Sequence, residues 1–351
     1  MTPLELTRRH SPWLLELPRY VPGAAPAGDA SGKLSSNESP LPPPPAVVRA
    51  VDTAARHLNR YPDPLAGALR HRLAALHGID AEALLVGNGS DELIQLLAQA
   101  HLGPGARAAM AEPPYLMQEI ACRACGAAVT KVALAGYRHD LQAMAEIDAE
   151  VVFIPNPHNP TGTAVSRGEL AAFLDRSCAA LVVVDEAYIE FADDAPAMSA
   201  LSLLDDPRVA VLRTFSKLYG LAGARIGYVA ADPALIERLR RIRAPFSVNA
   251  LAQAAALACL EHPAAAAAAR DATRSALARI GAAFARAGYE TVPSQANFLL
   301  VRAPDEDALL ARLADAGISA RPGRVLGVPG HVRVSAGSDA ALARLEEVLA
   351  S

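Results

Sequence analysis

The sequence places one lysine, Lys217, directly after a strand-like apolar run that ends in "AVLRTFS", and Arg225 follows eight residues later. Lysine is rarely fully buried in a protein unless a partner group meets it. A lysine amine at such a position can attack a carbonyl carbon and form an imine. It can also be a solvated residue that opens a helix. The groups that follow the other predicted strands discriminate between these two interpretations.

Two further predicted strands end in polar side chains. Asp185 and Tyr188 follow the run "LVVV", and Asn159 lies in the turn "PNPHNPTG" that follows "VVFI". A carboxylate that ends a buried strand is costly unless a cation meets it. The prolines and asparagines favour a rigid turn that can aim a side-chain amide. These strand ends therefore offer a carboxylate, a phenol and an amide.

The segment "GNGSDE", residues 87–92, joins a short strand to an amphipathic helix. Small residues let the backbone approach a ligand closely, and the free N–H groups at a helix start favour an anion such as phosphate. The alternative is an ordinary capped turn, with Ser90 or Asp91 as the N-cap. The segment matches neither a Walker loop nor a G-x-G-x-x-G turn.

The order of the predicted elements indicates an α/β protein. Continuous apolar strands alternate with helices up to about residue 235, which is typical of a mainly parallel sheet covered on both faces. Helices and short strands then predict a smaller α+β unit. The start of the chain is rich in Pro, Gly and Ser and predicts an extended arm. We therefore expect an arm over 1–35, a large ligand-binding domain over 36–235 and a small domain over 236–351.

Composition limits the possible partners. Hydrophobic residues make up 52% and charged residues 20% of the 351 residues, and the net charge is −4. We expect no nucleic-acid partner, since no basic face is implied. The start "MTPLELTRRH" does not resemble a secretory signal, and no uncharged apolar run reaches the roughly 18 residues of a membrane span. We expect no membrane partner and a cytoplasmic location.

The four cysteines are too few to suggest a disulfide framework and fit a reducing compartment. Cys122 and Cys125 form a C-x-x-C pair, but a zinc site would need a second pair and a redox motif would need a thioredoxin-like context. The surrounding "LMQEIACRACGA" has helical spacing. We interpret both cysteines as structural and expect no metal.

The strand-end groups together meet the requirements of pyridoxal phosphate. This cofactor needs a lysine to form an imine, an acid opposite its pyridinium nitrogen, donors to its ring oxygen, an anion site and an aromatic face. The motifs "GNGSDE", "PNPHNPTG", "VVVDEAY" and "FSKLYGLAGARIGY" resemble, in this order and spacing, the type I (class I and II) aminotransferases. The segments "ELPRYVPG", "LSSNESPLPPP", "NRYPDP", "SQANFLLV" and "HVRVSAG" resemble the histidinol-phosphate aminotransferase branch.

The resemblance implies a role for each site residue. Lys217 would bind the cofactor covalently and later move a proton, Asp185 would keep the pyridinium nitrogen protonated, and Arg333 would bind the substrate carboxylate. The implied cofactor contacts are Lys217, Asp185, Tyr188, Asn159 and Tyr115 for the ring and Gly89, Ser90, Asp91, Ser216, Arg225 and, from the other subunit, Tyr61 for the phosphate. Tyr20, Asn37 and Arg321 are the further implied substrate contacts.

The same resemblance implies the type I fold of pyridoxal-phosphate-dependent transferases, with a mainly parallel sheet of the seven-stranded type and an arm that packs on the small domain. It also implies a homodimer with shared active sites. Where the family often has Asn and a second aromatic residue, this chain has His158 and Gln118. We interpret His158 as a turn residue.

The implied reaction is amino transfer from histidinol phosphate to 2-oxoglutarate by a ping-pong mechanism. Arg321, near Arg333 and with Tyr20, offers the extra cationic group that a substrate phosphate needs. Alternatives on the same fold are an aromatic amino acid aminotransferase for phenylalanine or tyrosine, and a specialised enzyme that decarboxylates or oxidises its substrate. The non-enzymatic alternative is the ligand-sensing domain of a regulator.

Overall fold

The computed structural model describes residues 12–23 and 32–350. Its larger sheet has seven strands: β1 (Leu84–Gly87), β2 (Arg107–Glu112), β3 (Ala128–Ala133), β4 (Val151–Pro155), β5 (Leu181–Asp185), β6 (Val209–Thr214) and β7 (Gly227–Ala231). They are arranged in the order β1-β7-β6-β5-β4-β2-β3. The strand β7 is antiparallel to both of its neighbours, and the other adjacent pairs are parallel.

Helices cover both faces of this sheet. Before and within it the chain forms α1 (Pro45–Ala55), α2 (Gly67–His77), α3 (Gly89–His101), α4 (Leu116–Ala124), α5 (Leu141–Ala145), α6 (Arg167–Arg176) and α7 (Ala195–Met198). After it come α8 (Pro233–Ile242), α9 (Ala250–Glu261), α10 (Pro263–Arg286), α11 (Glu306–Asp315) and α12 (Asp339–Ala350). Within the described ranges, none of these helices has the length and apolar character to cross a membrane.

The central strands β4 and β5 are buried along their whole length, because they are covered on both faces. Successive side chains point to opposite faces. Phe153 and Val183 accordingly pack on the face covered by α3, α4 and α8, whereas Val152 and Val184 pack on the face covered by α5 and α6. The continuous apolar runs "VVFI" and "LVVV" thus serve two cores at once. The predicted α/β class and the mainly parallel sheet are confirmed.

A smaller antiparallel sheet follows, formed by β8 (Thr291–Val292), β9 (Phe298–Arg302), β10 (Arg321–Pro322) and β11 (His331–Ser335) in the order β10-β11-β9-β8. Helices α10, α11 and α12 contribute to its core. Leu34 is fully buried in the same core, and its backbone bonds to Ser319 and Ser335. A short 3₁₀ helix at Pro12–Glu16 lies instead against α4, where Trp13 Nε1 donates to the carbonyl oxygen of Ala124 at 3.1 Å. The domain boundaries at 35 and 235 stay predictions.

The reversed direction of β7 brings its amino end to the edge where the parallel strands have their carboxyl ends. Gly227 lies opposite both Gly87 of β1 and Thr214 of β6. Arg225, two residues earlier, therefore reaches the same edge. Gly227 also lets the start of α3 approach the sheet, since a Cβ there would lie 2.7 Å from the Arg213 carbonyl oxygen and 3.0 Å from the Ser90 nitrogen.

We expect Gly227→Ala to destabilise the protein by roughly 1–3 kcal/mol, because the added methyl group overlaps backbone atoms that cannot rotate away. Urea unfolding followed by circular dichroism measures the loss. Gly223→Ala is the matched control, since a Cβ at that position meets no atom within 4 Å. Equal urea midpoints for the two variants would contradict the close approach.

Candidate active site

The edge of the larger sheet and the arginine-bearing strands of the smaller sheet line one cavity of about 600 Å³. It is lined by the predicted residues Tyr20, Asn37, Ser90, Asp91, Tyr115, Asn159, Asp185, Tyr188, Ser216, Lys217, Arg225, Arg321 and Arg333. Gly89 lies behind this lining, against the Arg225 side chain. Tyr61 lies outside the cavity of its own chain, with 82% of its surface exposed.

One corner of the cavity combines a helix start with an arginine. Gly89 begins α3 with a φ of +78°, and a Cβ there would lie 2.5 Å from Arg225 Nη2. Arg225 donates to Asp91 Oδ2 at 3.2 Å and to Ser216 Oγ at 3.5 Å. The N-cap of α3 is Asn88, and no side chain caps the helix there. The first N–H groups of α3 are therefore left for a ligand, as the anion-site interpretation requires.

Asp185 is a buried carboxylate, with only 5% of its surface exposed. It accepts hydrogen bonds from the Ala187 N–H at 3.2 Å and from Gln118 Nε2 at 3.3 Å. In the described part of the chain it has no ion pair. Burial raises its pKa to about 7, and the charges of Asp91 and Glu186 act in the same direction. A cation placed against Asp185 would offset this cost.

Lys217 and Tyr188 face each other across the cavity. Lys217 Nζ lies 5.6 Å from the centre of the Tyr188 ring. Within the described residues the amino group forms no ion pair or hydrogen bond, so it is accessible to a carbonyl group. The Tyr188 hydroxyl accepts from Asn37 Nδ2 at 2.9 Å and from Asn159 Nδ2 at 3.4 Å.

Two arginines from neighbouring strands of the smaller sheet enter the cavity. Arg321 of β10 and Arg333 of β11 are directly opposite each other, and both are about 5% exposed. Arg333 donates to Asn159 Oδ1 at 2.6 Å and to the Ser35 carbonyl oxygen at 2.9 Å, while its Nε has no partner among the described residues. Burial lowers the pKa of Arg333 to about 10, and the charge of Arg321 acts in the same direction. The pair therefore favours an anionic ligand.

The guanidinium group of Arg321 lies over the ring of Tyr20, at 5.9 Å from the ring centre, and also donates to the carbonyl oxygen of Val21. The ring of Tyr20 is an open part of the cavity wall, since 56% of the residue is exposed. An aromatic face and a cation therefore lie side by side at this end of the cavity.

His158 and the two cysteines of the C-x-x-C pair do not line the cavity. His158 is fully buried, and its ring nitrogens bond to Thr161 Oγ1 and the Pro113 carbonyl oxygen, in agreement with a turn residue. Cys122 lies in α4 and Cys125 follows it, and both are free thiols. The described ranges contain no cluster of His, Cys, Asp and Glu side chains suited to a metal ion.

Sequence reasoning missed two residues that contact the site. Gln118 bonds to Asp185, although in the sequence it was only a departure from the resemblance. Ser335 bonds to Asn37, its Oγ donating to Asn37 Oδ1 at 2.7 Å. The period-2 alternation of "HVRVS" places Arg333 and Ser335 on the same face of β11, and this signal is present in the sequence.

One edge of the larger sheet thus combines a lysine, a buried carboxylate without a cationic partner among the described residues, and a helix start beside an arginine. The family model for aminotransferases of class I and II matches residues 32–349, so the chain belongs to this family. The predicted family is thereby confirmed.

Individual relatives are similar over almost the whole chain. A histidinol-phosphate aminotransferase of Symbiobacterium thermophilum is 42% identical over 326 residues, which are 90% of this chain and 89% of that protein. An aromatic amino acid aminotransferase of Corynebacterium jeikeium is 43% identical over 350 residues, 96% of this chain and 93% of that protein. The crystal structure of histidinol-phosphate aminotransferase from Sinorhizobium meliloti in complex with pyridoxal-5'-phosphate superposes with a TM-score of 0.90 at 29% identity, covering 97% of this chain and 98% of that one.

We expect Asp185→Asn to stabilise the ligand-free protein at pH 8. The pKa of Asp185 is raised from 3.8 to about 7. Between these values the folded state holds a proton that the unfolded state has lost, so stability falls as pH rises. Removing the carboxylate should raise the free energy of unfolding by up to about 4 kcal/mol at pH 8 and by much less at pH 4.

Urea unfolding at the two pH values measures this difference. The control is Asp52→Asn, which removes an exposed carboxylate of α1. A stability gain that is the same at pH 4 and pH 8 would contradict a raised pKa at Asp185.

Proposed function

We propose that this aminotransferase uses pyridoxal phosphate to transfer the amino group of histidinol phosphate to 2-oxoglutarate. The observation that carries the substrate assignment is the pair of buried arginines, Arg321 and Arg333, on adjacent strands of one cavity wall. Guanidinium groups match the geometry of a phosphate, and two of them side by side suit its double negative charge.

The residues present fit the cofactor. The start of α3 has free N–H groups, no side chain at Gly89 and Arg225 beside it, which suits a phosphate. The buried carboxylate of Asp185 has no cation against it among the described residues, which suits a protonated ring nitrogen. Tyr115 and Tyr188 supply an aromatic face and a phenol, and Lys217 supplies the amine.

When bound, pyridoxal phosphate supplies an electron sink that makes the carbon bearing the substrate amino group acidic. Lys217 would hold the cofactor covalently until the substrate amine replaces it, and its freed amine would then take the proton from that carbon and deliver it to the cofactor carbon on the other side of the nitrogen. Asp185 would keep the ring nitrogen protonated, and the tyrosine hydroxyl of Tyr188 would donate to the ring oxygen. Asn159 would donate to the same oxygen.

The two arginines would serve both half-reactions. Histidinol phosphate carries a phosphate and no carboxylate, so Arg321 and Arg333 would both face its phosphate. The acceptor 2-oxoglutarate carries two carboxylates, and Arg333 would bind one of them in a planar fork. Tyr20 would contact the substrate side chain next to Arg321.

An aromatic amino acid is the second candidate donor. The Corynebacterium jeikeium relative bears that name and matches 96% of this chain. The open ring of Tyr20 offers an aromatic substrate a surface to pack on. An aromatic amino acid needs only one arginine for its carboxylate, however, so Arg321 would meet no anion of the donor.

We also propose a homodimer with shared sites. The ring of Tyr61 stacks on Phe246 at 4.5 Å between centroids, and both side chains are exposed. Exposed aromatic residues of this kind are common at interfaces. A second copy of the chain would bring Tyr61 to the corner of the cavity formed by the start of α3 and Arg225. A cytoplasmic location and the lack of a nucleic-acid partner stay predictions.

The substrate proposal is tested by Arg321→Ala. If histidinol phosphate is the donor, loss of a charge-assisted partner should lower its kcat/KM by roughly 30- to 1000-fold, or about 2–4 kcal/mol. Phenylalanine and tyrosine should lose less than about fivefold, since neither carries a second anion. Steady-state assays with 2-oxoglutarate as acceptor measure both.

The control is Arg302→Ala, which removes an exposed arginine of β9 that pairs with Glu290. It should leave all three donors unaffected. A wild-type preference for phenylalanine, or histidinol phosphate turnover that does not respond to Arg321→Ala, would instead identify an aromatic amino acid aminotransferase.

The shared site is tested by mixing the inactive Lys217→Ala protein with the severely impaired Tyr61→Ala protein, after dissociation and reassociation. Half of randomly formed dimers contain one copy of each chain, and one of their two sites regains both residues, so about a quarter of the wild-type activity should return. Confirmed mixed dimers without activity would show that Tyr61 acts within its own chain.

A further inference from the structure

A chain of three buried side chains joins the two sheets beside the cavity. Ser335 Oγ donates to Asn37 Oδ1 at 2.7 Å, and Asn37 Nδ2 donates to the Tyr188 hydroxyl oxygen at 2.9 Å. The three residues are 1%, 2% and 6% exposed, respectively. Buried polar groups satisfy their hydrogen bonds within the protein, so the direction of each proton can be followed.

The amide of Asn37 is held in one orientation. Its Oδ1 accepts the single hydroxyl proton of Ser335, while the same Ser335 oxygen accepts from the Asn37 backbone N–H at 2.9 Å. With Oδ1 bound in this closed ring, Nδ2 must face Tyr188. The backbone of Asn37 has a φ of +54°, and its carbonyl oxygen accepts from Asn297 Nδ2 at 3.1 Å. Asparagine is one of the few residues that readily adopt this left-handed conformation.

The amide of Asn159 is held in the same way from the same strand. Arg333 Nη1 donates to Asn159 Oδ1 at 2.6 Å, which leaves Nδ2 to donate to the Tyr188 hydroxyl at 3.4 Å. Arg333 and Ser335 are two residues apart on β11 and thus share a face. One face of β11 therefore orients both amides that contact Tyr188.

We propose that Ser335 and Asn37 are positioning residues that direct the hydroxyl proton of Tyr188 into the cavity. A phenol oxygen has one proton to donate and accepts at most two hydrogen bonds. Both amide groups that contact Tyr188 donate to it, so neither can receive its proton. The proton then points to the remaining side, where Tyr188 lines the cavity. This inference rests on the proposed function, since the acceptor there is the ring oxygen of pyridoxal phosphate.

The contact of Arg333 with Asn159 and the contact of Ser335 with Asn37 should respond differently to a bound substrate. Arg333 is the residue proposed to bind the substrate anion, which would compete with Asn159 for the guanidinium group. Ser335 makes no such contact and would keep Asn37 in place with the substrate bound. Asn37, which the sequence predicted as a substrate contact, is thereby assigned to Tyr188.

The test is a pH titration of the visible absorbance of the cofactor-loaded protein. A hydrogen bond to the ring oxygen of pyridoxal phosphate stabilises the ionised form of that oxygen. Loss of this bond should therefore raise the pH at the midpoint of the titration. The groups that surround Tyr188 and also titrate or carry charge are Lys217, Arg333, Tyr115 and Asp185. These four groups are unchanged in the single variants, so a difference in titration midpoint between variants is caused by the substituted residue.

Asn37→Asp replaces the donor by an acceptor of the same shape, which draws the Tyr188 proton away from the cavity. The midpoint should rise by about one pH unit, the equivalent of one hydrogen bond. Ser335→Ala frees the Asn37 amide without adding charge and should raise the midpoint by a smaller amount. Ser319→Ala is the control, since it removes another buried hydroxyl of the small sheet region.

Each substitution is repeated in a Tyr188→Phe background. Action through the phenol predicts that the whole effect of Ser335→Ala and most of the effect of Asn37→Asp disappear there. Unchanged midpoints in both single variants, or shifts that persist in full with Phe, would overturn the inference. Circular dichroism confirms folding, and if Asn37→Asp fails to fold, Ser335→Ala decides alone. A wild-type protein that acquires no cofactor absorbance would refute the proposed function itself, and with it this inference.

Discussion

The buried carboxylate of Asp185 is the group on which the site depends. It ends β5, where parallel strands on both sides leave it almost no contact with water. Burial makes its ionised form costly, and only the Ala187 N–H and Gln118 offset this cost within the described structure. A ligand that places a positive charge against Asp185 would offset the rest of this electrostatic cost. A buried carboxylate of this kind favours a ligand that carries a positive charge.

The direction of the strands explains why the other groups lie within reach of this carboxylate. The carboxyl ends of β4, β5 and β6 meet at one edge, and the turns after them carry Asn159, Tyr188 and Lys217. The antiparallel β7 adds Arg225 from its opposite end. Gly227 allows α3 to come close enough for its free N–H groups to share a corner with that arginine.

The smaller sheet supplies the two arginines that we propose to bind the substrate anion. Cross-strand pairing in β10 and β11 sets Arg321 beside Arg333, which concentrates positive charge in a largely dehydrated place. The next inward-facing residue of β11, Ser335, contacts Asn37 and through it Tyr188. In our proposal, substrate binding and the orientation of the Tyr188 hydroxyl therefore both depend on the short strand β11.

Sequence alone determined the fold class and placed the main candidate residues of the site at one edge of the sheet. Continuous apolar runs require burial on both faces, and in a parallel sheet the strand ends then coincide, so Lys217, Asp185 and Asn159 were predictable as neighbours. The tertiary structure alone decided the strand order, the antiparallel direction of β7 and contacts such as Gln118 with Asp185 and Asn37 with Ser335. The last two residues are 298 positions apart. Periodicity assigns a residue to a face, but a hydrogen bond depends on atomic positions to within a few tenths of an ångström, and these are set only when distant elements pack together.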